Sequence, residues 1–345
     1  MNIPDFETDQ AQTRAATIEL DSQSASRAAW LRWFFRLLIG IGLVVFLASR
    51  HDNAALLRAF RLTSWPFLIG AVAFYWAGQL LSAWKWKLLL RAQNAEVSYA
   101  DCCRLYAVGM FWNLWMPTNI GGDAVRAVRC GAQCGSRAVA VSSILVERLT
   151  GFFALAFWGS VSFALQIVLA PTPIFSVSRR AAILFVAFAA SLAGLVWLLK
   201  SARRVNSSSS RWQRKLSSVR ESFAFYLRPE QRGVLWSALF ISLVFQASQI
   251  ALNVWMAQQL GLKVPVLVFF WLVPALAFAS LVPFGIGGLG VREAAAVQML
   301  GIFGAFVPTV LAWSLLWQAI VWLSSLPGAI WVASSARKHT SSTRS

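Results

Sequence analysis

The sequence predicts an all-α, polytopic membrane protein with six full spans and two re-entrant or broken helices in an inverted repeat. Three observations predict it. The 345 residues are 58% hydrophobic and only 13% charged, where a soluble domain carries about a quarter charged residues. The apolar residues gather into stretches near the roughly 20 residues that a helical span needs. The charge is lopsided, with 31 Lys+Arg against 13 Asp+Glu, as expected when basic residues crowd the cytoplasmic loops and meet anionic lipid. No soluble module remains to direct that charge at nucleic acid.

Residues 1–26 hold five of the acids (Asp5, Glu7, Asp9, Glu19, Asp21) and one basic residue, Arg14. They lack the basic start and early apolar core of a signal peptide, so they read as a disordered acidic cytoplasmic tail. The first membrane half, 27–199, contains the apolar stretches Trp33–Ala48, Ser64–Ala83, Thr150–Ala170 and Ala181–Leu199; the second, 233–336, contains Val234–Met256 and Val307–Ala333. Residues 337–345 form a short cytoplasmic tail. Two further stretches are defective as spans. Leu105–Met116 is too short and ends at Pro117, and Val266–Val282 is punctuated by Pro265, Pro274 and Pro283. Short or Pro-interrupted segments in corresponding positions of two halves mark broken helices. If both dip in and return, Lys85–Arg148 and Lys200–Arg232 fall on the cytoplasmic side with both termini, and the positive-inside rule is best satisfied.

The segment 200–232 carries nine Lys/Arg and divides the halves. Trp212, Leu216, Val219, Phe223 and Tyr226 recur within it at spacings of four, three, four and three. That periodicity predicts a basic amphipathic helix at the inner interface, although a solvated connector helix would share the charge run.

A Gly-rich turn follows each defective span. Residues 117–126 read Pro-Thr-Asn-Ile-Gly-Gly-Asp-Ala-Val-Arg and residues 283–292 read Pro-Phe-Gly-Ile-Gly-Gly-Leu-Gly-Val-Arg, matching at six of ten positions. With one re-entrant segment each, the halves make three crossings apiece, so the second is inverted and the two turns enter from opposite faces. Asn119, Gly121, Gly122, Gly287 and Gly288 would turn the backbone and expose N–H groups at helix starts, where anions bind. Arg126, Arg129 and Arg292 add guanidinium forks for phosphate. Asp123 and Glu293 would orient them or take up a cation or proton, and Glu147-Arg148 forms a third charged pair at membrane depth. A structural reading stands beside this one, in which Gly-Gly permits tight helix packing and Glu–Arg pairs pin helices together. Gln246 and Gln249 fit either a cavity wall or interhelical hydrogen bonds.

Other chemistry is thin. Cys102, Cys103, Cys130 and Cys134 have no His neighbour, so neither a metal site nor a disulfide is expected. No Lys-Ser/Thr follows either Gly-Gly turn, no Ser/His/Asp set is apparent, and no cofactor is expected.

The runs PTNIGGDAVRAVR (Pro117–Arg129) and PFGIGGLGVREA (Pro283–Ala294), with Glu147-Arg148 and Trp84-Lys85-Trp86-Lys87, resemble the membrane domain of bacterial lysyl-phosphatidylglycerol synthases and its stand-alone, flippase-like relatives. The resemblance covers roughly residues 31–336. It implies a multi-pass protein of the bacterial inner membrane that moves a polar or anionic lipid between leaflets. It also implies cavity roles for Gly121, Gly122, Asp123, Arg126, Arg148, Gly287, Gly288, Arg292 and Glu293. Where the family often has Asp before the Arg, this chain has Glu147. The separate aminoacyl-transfer domain has no counterpart in these residues, so that activity is not carried over. Membrane lipids with anionic head groups are the expected partners. Two other classes remain open: a membrane-embedded transferase acting on a polyprenyl-phosphate lipid with Asp123 or Glu147 as base, and a non-transporting scaffold for a lipid-modifying enzyme.

Overall fold

The computed structural model describes residues 63–116, 121–169, 211–280 and 289–342, with isolated positions between 38 and 61. The predicted span Ala181–Leu199, the acidic tail, and the turn residues Asn119, Gly287 and Gly288 lie outside the described residues. So does most of Trp33–Ala48, whose described positions are helical.

The elements are helices: α1 (Trp65–Ala92), α2 (Tyr99–Trp115), α3 (Gly121–Gln133), α4 (Arg137–Leu169), α5 (Arg211–Tyr226), α6 (Arg232–Gln259), α7 (Val266–Ala279), α8 (Val291–Gly301) and α9 (Val307–Ser342). Among the described residues, four helices are long and apolar enough to cross a membrane: α1, α4, α6 and α9. Their 28 to 36 residues reach about 42 Å or more at about 1.5 Å per residue, beyond the roughly 30 Å hydrocarbon layer. The 17 residues of α2 and 14 of α7 reach only about 25 and 21 Å. Each is followed by a shorter helix, α3 of 13 and α8 of 11 residues, packed against it.

Local chemistry sets the helix ends. Ser64 and Ser98 cap α1 and α2, their hydroxyls accepting from the N–H of Phe67 and Asp101 at 3.4 and 3.1 Å. Helix α2 stops because Met116 precedes Pro117 and is extended, with φ −89° and ψ 144°. Pro274 lies inside α7 and removes a backbone donor there.

In the bundle α1 packs on α6, α4 on α7 and α2 on α9. The largest core cluster includes Trp271, Trp313, Phe269, Leu272 and Ile250, all at most 1% exposed. The three fully buried indoles among the described residues have their N–H partnered: Trp86 donates to Ser143 Oγ at 3.0 Å, Trp313 to Asn253 O at 2.9 Å and Trp271 to Gln166 Oε1 at 2.6 Å. Outward faces are apolar, with Trp65, Ile69, Trp236, Phe240 and Ile330 each at least 67% exposed, as a lipid-facing surface requires. Helix α5 turns Phe223 and Tyr226 onto Leu89, Val146, Leu149 and Ala238, and the Tyr226 hydroxyl donates to Leu89 O at 2.8 Å. The Phe223–Tyr226 end of this helix therefore packs on α1, α4 and α6.

Helix α1 runs past the predicted span end at Ala83 to Ala92, and Lys85, read from the sequence as the start of a cytoplasmic segment, is only 2% exposed, inside the bundle.

Candidate functional site

The bundle contains a partly open cavity of about 360 Å³, within the roughly 300–1,000 Å³ of small-ligand sites. Every described helix except α5 contributes to its wall. The two short helices after the Gly-rich turns meet here: α3 brings Asp123 and Arg126, and α8 brings Arg292. Helix α4 supplies Glu147 and Arg148, and α1 supplies Lys85.

Helical periodicity explains how the long apolar helices present polar groups. Tyr75, Gln79, Ser82 and Lys85 fall at spacings of four, three and three along α1, which makes one stripe. Along α6 the stripe is Ser242, Gln246, Gln249 and Asn253. The charged α3 places Asp123 and Arg126 one turn apart on its buried face.

Two charge environments result. In the first, Arg126 donates to Asp123 Oδ1 at 3.0 Å and to Glu147 Oε2 at 2.7 Å. Arg148 forks onto both oxygens of Asp123, at 2.6 and 2.7 Å. The Tyr106 hydroxyl donates to Glu147 Oε1. The Arg126 guanidinium lies between Trp86 and Tyr106, 4.2 and 3.9 Å from their ring centroids. Two guanidiniums and two carboxylates thus close a charge-neutral network. Arg126 is 2% exposed within it, whereas the Arg148 side chain is 45% exposed.

In the second, Arg292 is 5% exposed and forms no ion pair among the described residues. It donates to Asn253 Oδ1 at 3.3 Å and stands 5.0 and 5.6 Å from the Trp317 and Trp313 ring centroids. Its Nε has no acceptor among the described residues. Lys85 likewise has no carboxylate in ion-pair range; it donates to Ser242 Oγ at 2.9 Å and Glu147 O at 3.3 Å. Glu293 and Glu147 act on these two cations only from beyond ion-pair distance, and a buried charge that is not directly paired is expensive. The cavity therefore holds a surplus of two cations, Lys85 and Arg292, available to an anion.

Gly122 and Gly290 serve packing and backbone geometry, the alternative that the sequence also allows. A Cβ on Gly122 would sit 2.0 Å from the Gly109 carbonyl oxygen, so Gly122 allows α3 to close on α2. Its N–H donates to Asn113 Oδ1 at 2.8 Å and is not open to an anion. Gly290, at φ +86°, occupies the left-handed region that glycine tolerates, and its N–H donates to Glu293 Oε2 at 2.6 Å. Glu293 Oε1 accepts from Ser314 at 2.9 Å, and Glu293 is fully buried away from the cavity wall. Gly121 and Arg129 also lie off that wall, Arg129 half-buried. The cysteines are free thiols, with Cys102 and Cys130 in the core beside Trp86.

Site residues that sequence reasoning missed are Lys85, Tyr106, Gln79 and Gln318; Gln246 and Gln249 lie on the cavity wall. The available signal was a polar stripe at helical spacing within apolar spans.

Across 346 aligned residues the chain is 22% identical to a UPF0104 membrane protein of Pyrococcus horikoshii, covering 90% of this chain and all of that relative. The family model described as lysylphosphatidylglycerol synthase TM region matches residues 33–328. This chain is a member of the lysylphosphatidylglycerol synthase TM region family, a multi-pass membrane protein related to lipid metabolism.

Proposed function

We propose that the protein moves a polar or anionic lipid between the leaflets of the bacterial inner membrane, with both termini cytoplasmic, by alternating access to the cavity between its two broken-helix hairpins. The observation that carries this reading is the pair of buried cations without carboxylate partners, Lys85 and Arg292, on the wall of a cavity among membrane-crossing helices. At an effective dielectric constant near 20, a phosphate about 4 Å from one of them would gain about 4 kcal/mol of attraction. That attraction offsets much of the cost of drawing a head group into the bilayer. The hairpins α2–α3 and α7–α8, one in each half, support an inverted repeat, the arrangement in which broken helices form a midplane substrate site.

Transport without covalent chemistry fits the acids. Asp123 and Glu147 each accept from guanidiniums, which leaves neither as a ready base for a transferase. A scaffold role predicts sealed packing around both turns, and the cavity runs against it. The test is reconstitution in vesicles with a fluorescent lipid whose outer-leaflet copies are bleached by a membrane-impermeant reductant. Wild-type protein should carry inner-leaflet lipid out to the reductant, and Arg292→Ala should slow this at least tenfold. Bleaching that stops at the outer leaflet with wild-type protein would refute transport.

A further inference from the structure

The cavity's polar inventory bears on which head group it takes. Of the charged side chains on its wall, four are cations (Lys85, Arg126, Arg148, Arg292) and two are carboxylates, Asp123 and Glu147. Both carboxylates are already occupied on both oxygens. Asp123 accepts from Arg126 and from both arms of Arg148, and Glu147 accepts from Arg126 and Tyr106. Glu293, the next acid, is occupied by Gly290 and Ser314 and stands off the wall. An ammonium group entering the cavity would find no free carboxylate there and would meet a surplus of two positive charges.

The opposite is true of uncharged polar groups. Gln79, Gln246, Gln249 and Gln318 line the cavity, and each amide can both donate to and accept from a hydroxyl. Gln249 is 6% exposed, and its Nε2 has no partner among the described residues. With Arg292 Nε and Arg126 Nε, also unpartnered, it gives three buried donors on the cavity wall without acceptors among the described residues. Leaving such donors unsatisfied is costly, and a ligand that supplies acceptors removes that cost.

We infer that the cavity selects lipids with an anionic phosphodiester and uncharged hydroxyls in the head group, a phosphoglycerol or similar polyol, and rejects head groups that carry an amine. Arg292 takes the phosphate, Lys85 adds positive charge further along the wall, and the glutamines take the hydroxyls. The inference rests on the lipid-transport reading and narrows its substrate. It sets this chain apart from a carrier of aminoacylated lipid, whose head group would need a free acid.

Native mass spectrometry of the purified protein with equimolar phosphatidylglycerol, phosphatidylserine, phosphatidylethanolamine and lysyl-phosphatidylglycerol tests it. Phosphatidylserine matches phosphatidylglycerol in net charge but carries an ammonium, so it separates amine rejection from simple attraction. Phosphatidylglycerol should be retained at least tenfold over the three amine-bearing lipids. Equal retention of phosphatidylserine or lysyl-phosphatidylglycerol overturns the inference. Placing a new acid on the wall, as Gln249→Glu or Gln318→Glu, should raise phosphatidylserine retention relative to phosphatidylglycerol at least threefold, and unchanged selectivity in both folded variants counts against it. Glycerol 3-phosphate at the same concentration should not displace the lipid; displacement would make the ligand a soluble phosphate instead. The same lipids in vesicles separate the two levels of the argument. Selective retention without transbilayer movement refutes transport and keeps the selectivity, whereas movement of all four at one rate refutes the selectivity and keeps transport.

Discussion

Arg126 and Arg292 close matching ten-residue turns, yet the fold puts them in opposite electrostatic situations. Both guanidiniums sit beside two aromatic rings, Arg126 with Trp86 and Tyr106, Arg292 with Trp313 and Trp317. Arg126 is neutralised by Asp123 and Glu147, while Arg292 has only the amide oxygen of Asn253. The second turn has Leu289 where the first has Asp123, which removes one of the two carboxylates. A repeated motif can thus carry a neutralised arginine in one copy and an arginine with no carboxylate in ion-pair range in the other.

The largest expected effect comes from breaking the neutral network. Arg126→Ala leaves Glu147 buried with Tyr106 as its remaining side-chain donor, and removing one partner of a buried pair costs about 3–5 kcal/mol. The variant should unfold at markedly lower temperature in detergent by fluorescence-detected size exclusion. A melting curve matching wild type would erase the contrast between the two arginines. Next comes Gly122→Ala, whose Cβ meets the Gly109 carbonyl at 2.0 Å. Forcing α3 off α2 should cost about 1–3 kcal/mol, read in the same assay. Arg292→Gln removes a charge with no ionic partner, so its melting temperature should stay level or rise while lipid movement falls at least tenfold. Lys85→Met should act in the same direction with a smaller loss of transport, since Arg292 remains. The smallest effect belongs to Tyr226→Phe, which deletes one hydrogen bond to Leu89 O, about 1 kcal/mol, and should leave transport unchanged.

The bundle was legible where long apolar windows specify a helix. α1, α4, α6 and α9 follow from stretches of about 20 apolar residues, and α2 and α7 from stretches cut short by proline. The stripe from Trp212 to Tyr226 marked α5, because a period of three and four survives any environment. Lys85 was hidden for a physical reason. A lysine at the end of an apolar window belongs to an interfacial loop in most sequences, and only the continuation of α1 through Leu89 and Leu90, both fully buried, draws it inside. The N–H of Gly122 was also beyond the sequence, because its acceptor, Asn113, comes from the preceding helix across the turn. The pairing of Arg148 with Asp123 spans 25 positions and depends on how α3 lies against α4. Local pattern therefore marked Asp123, Arg126, Glu147, Arg148 and Arg292 but not Lys85, and packing alone decided which of those charges are already neutralised.

The central claim is that Arg292 serves the ligand and Arg126 serves the fold. Its most direct test is a paired measurement on Arg292→Gln and Arg126→Gln, recording the melting temperature in detergent and the rate of phosphatidylglycerol movement in vesicles for each. The account predicts that Arg292→Gln melts at or above the wild-type temperature but moves lipid at the protein-free rate, while Arg126→Gln melts well below it. Wild-type transport by Arg292→Gln, or a loss of stability in it as large as that of Arg126→Gln, would contradict the account.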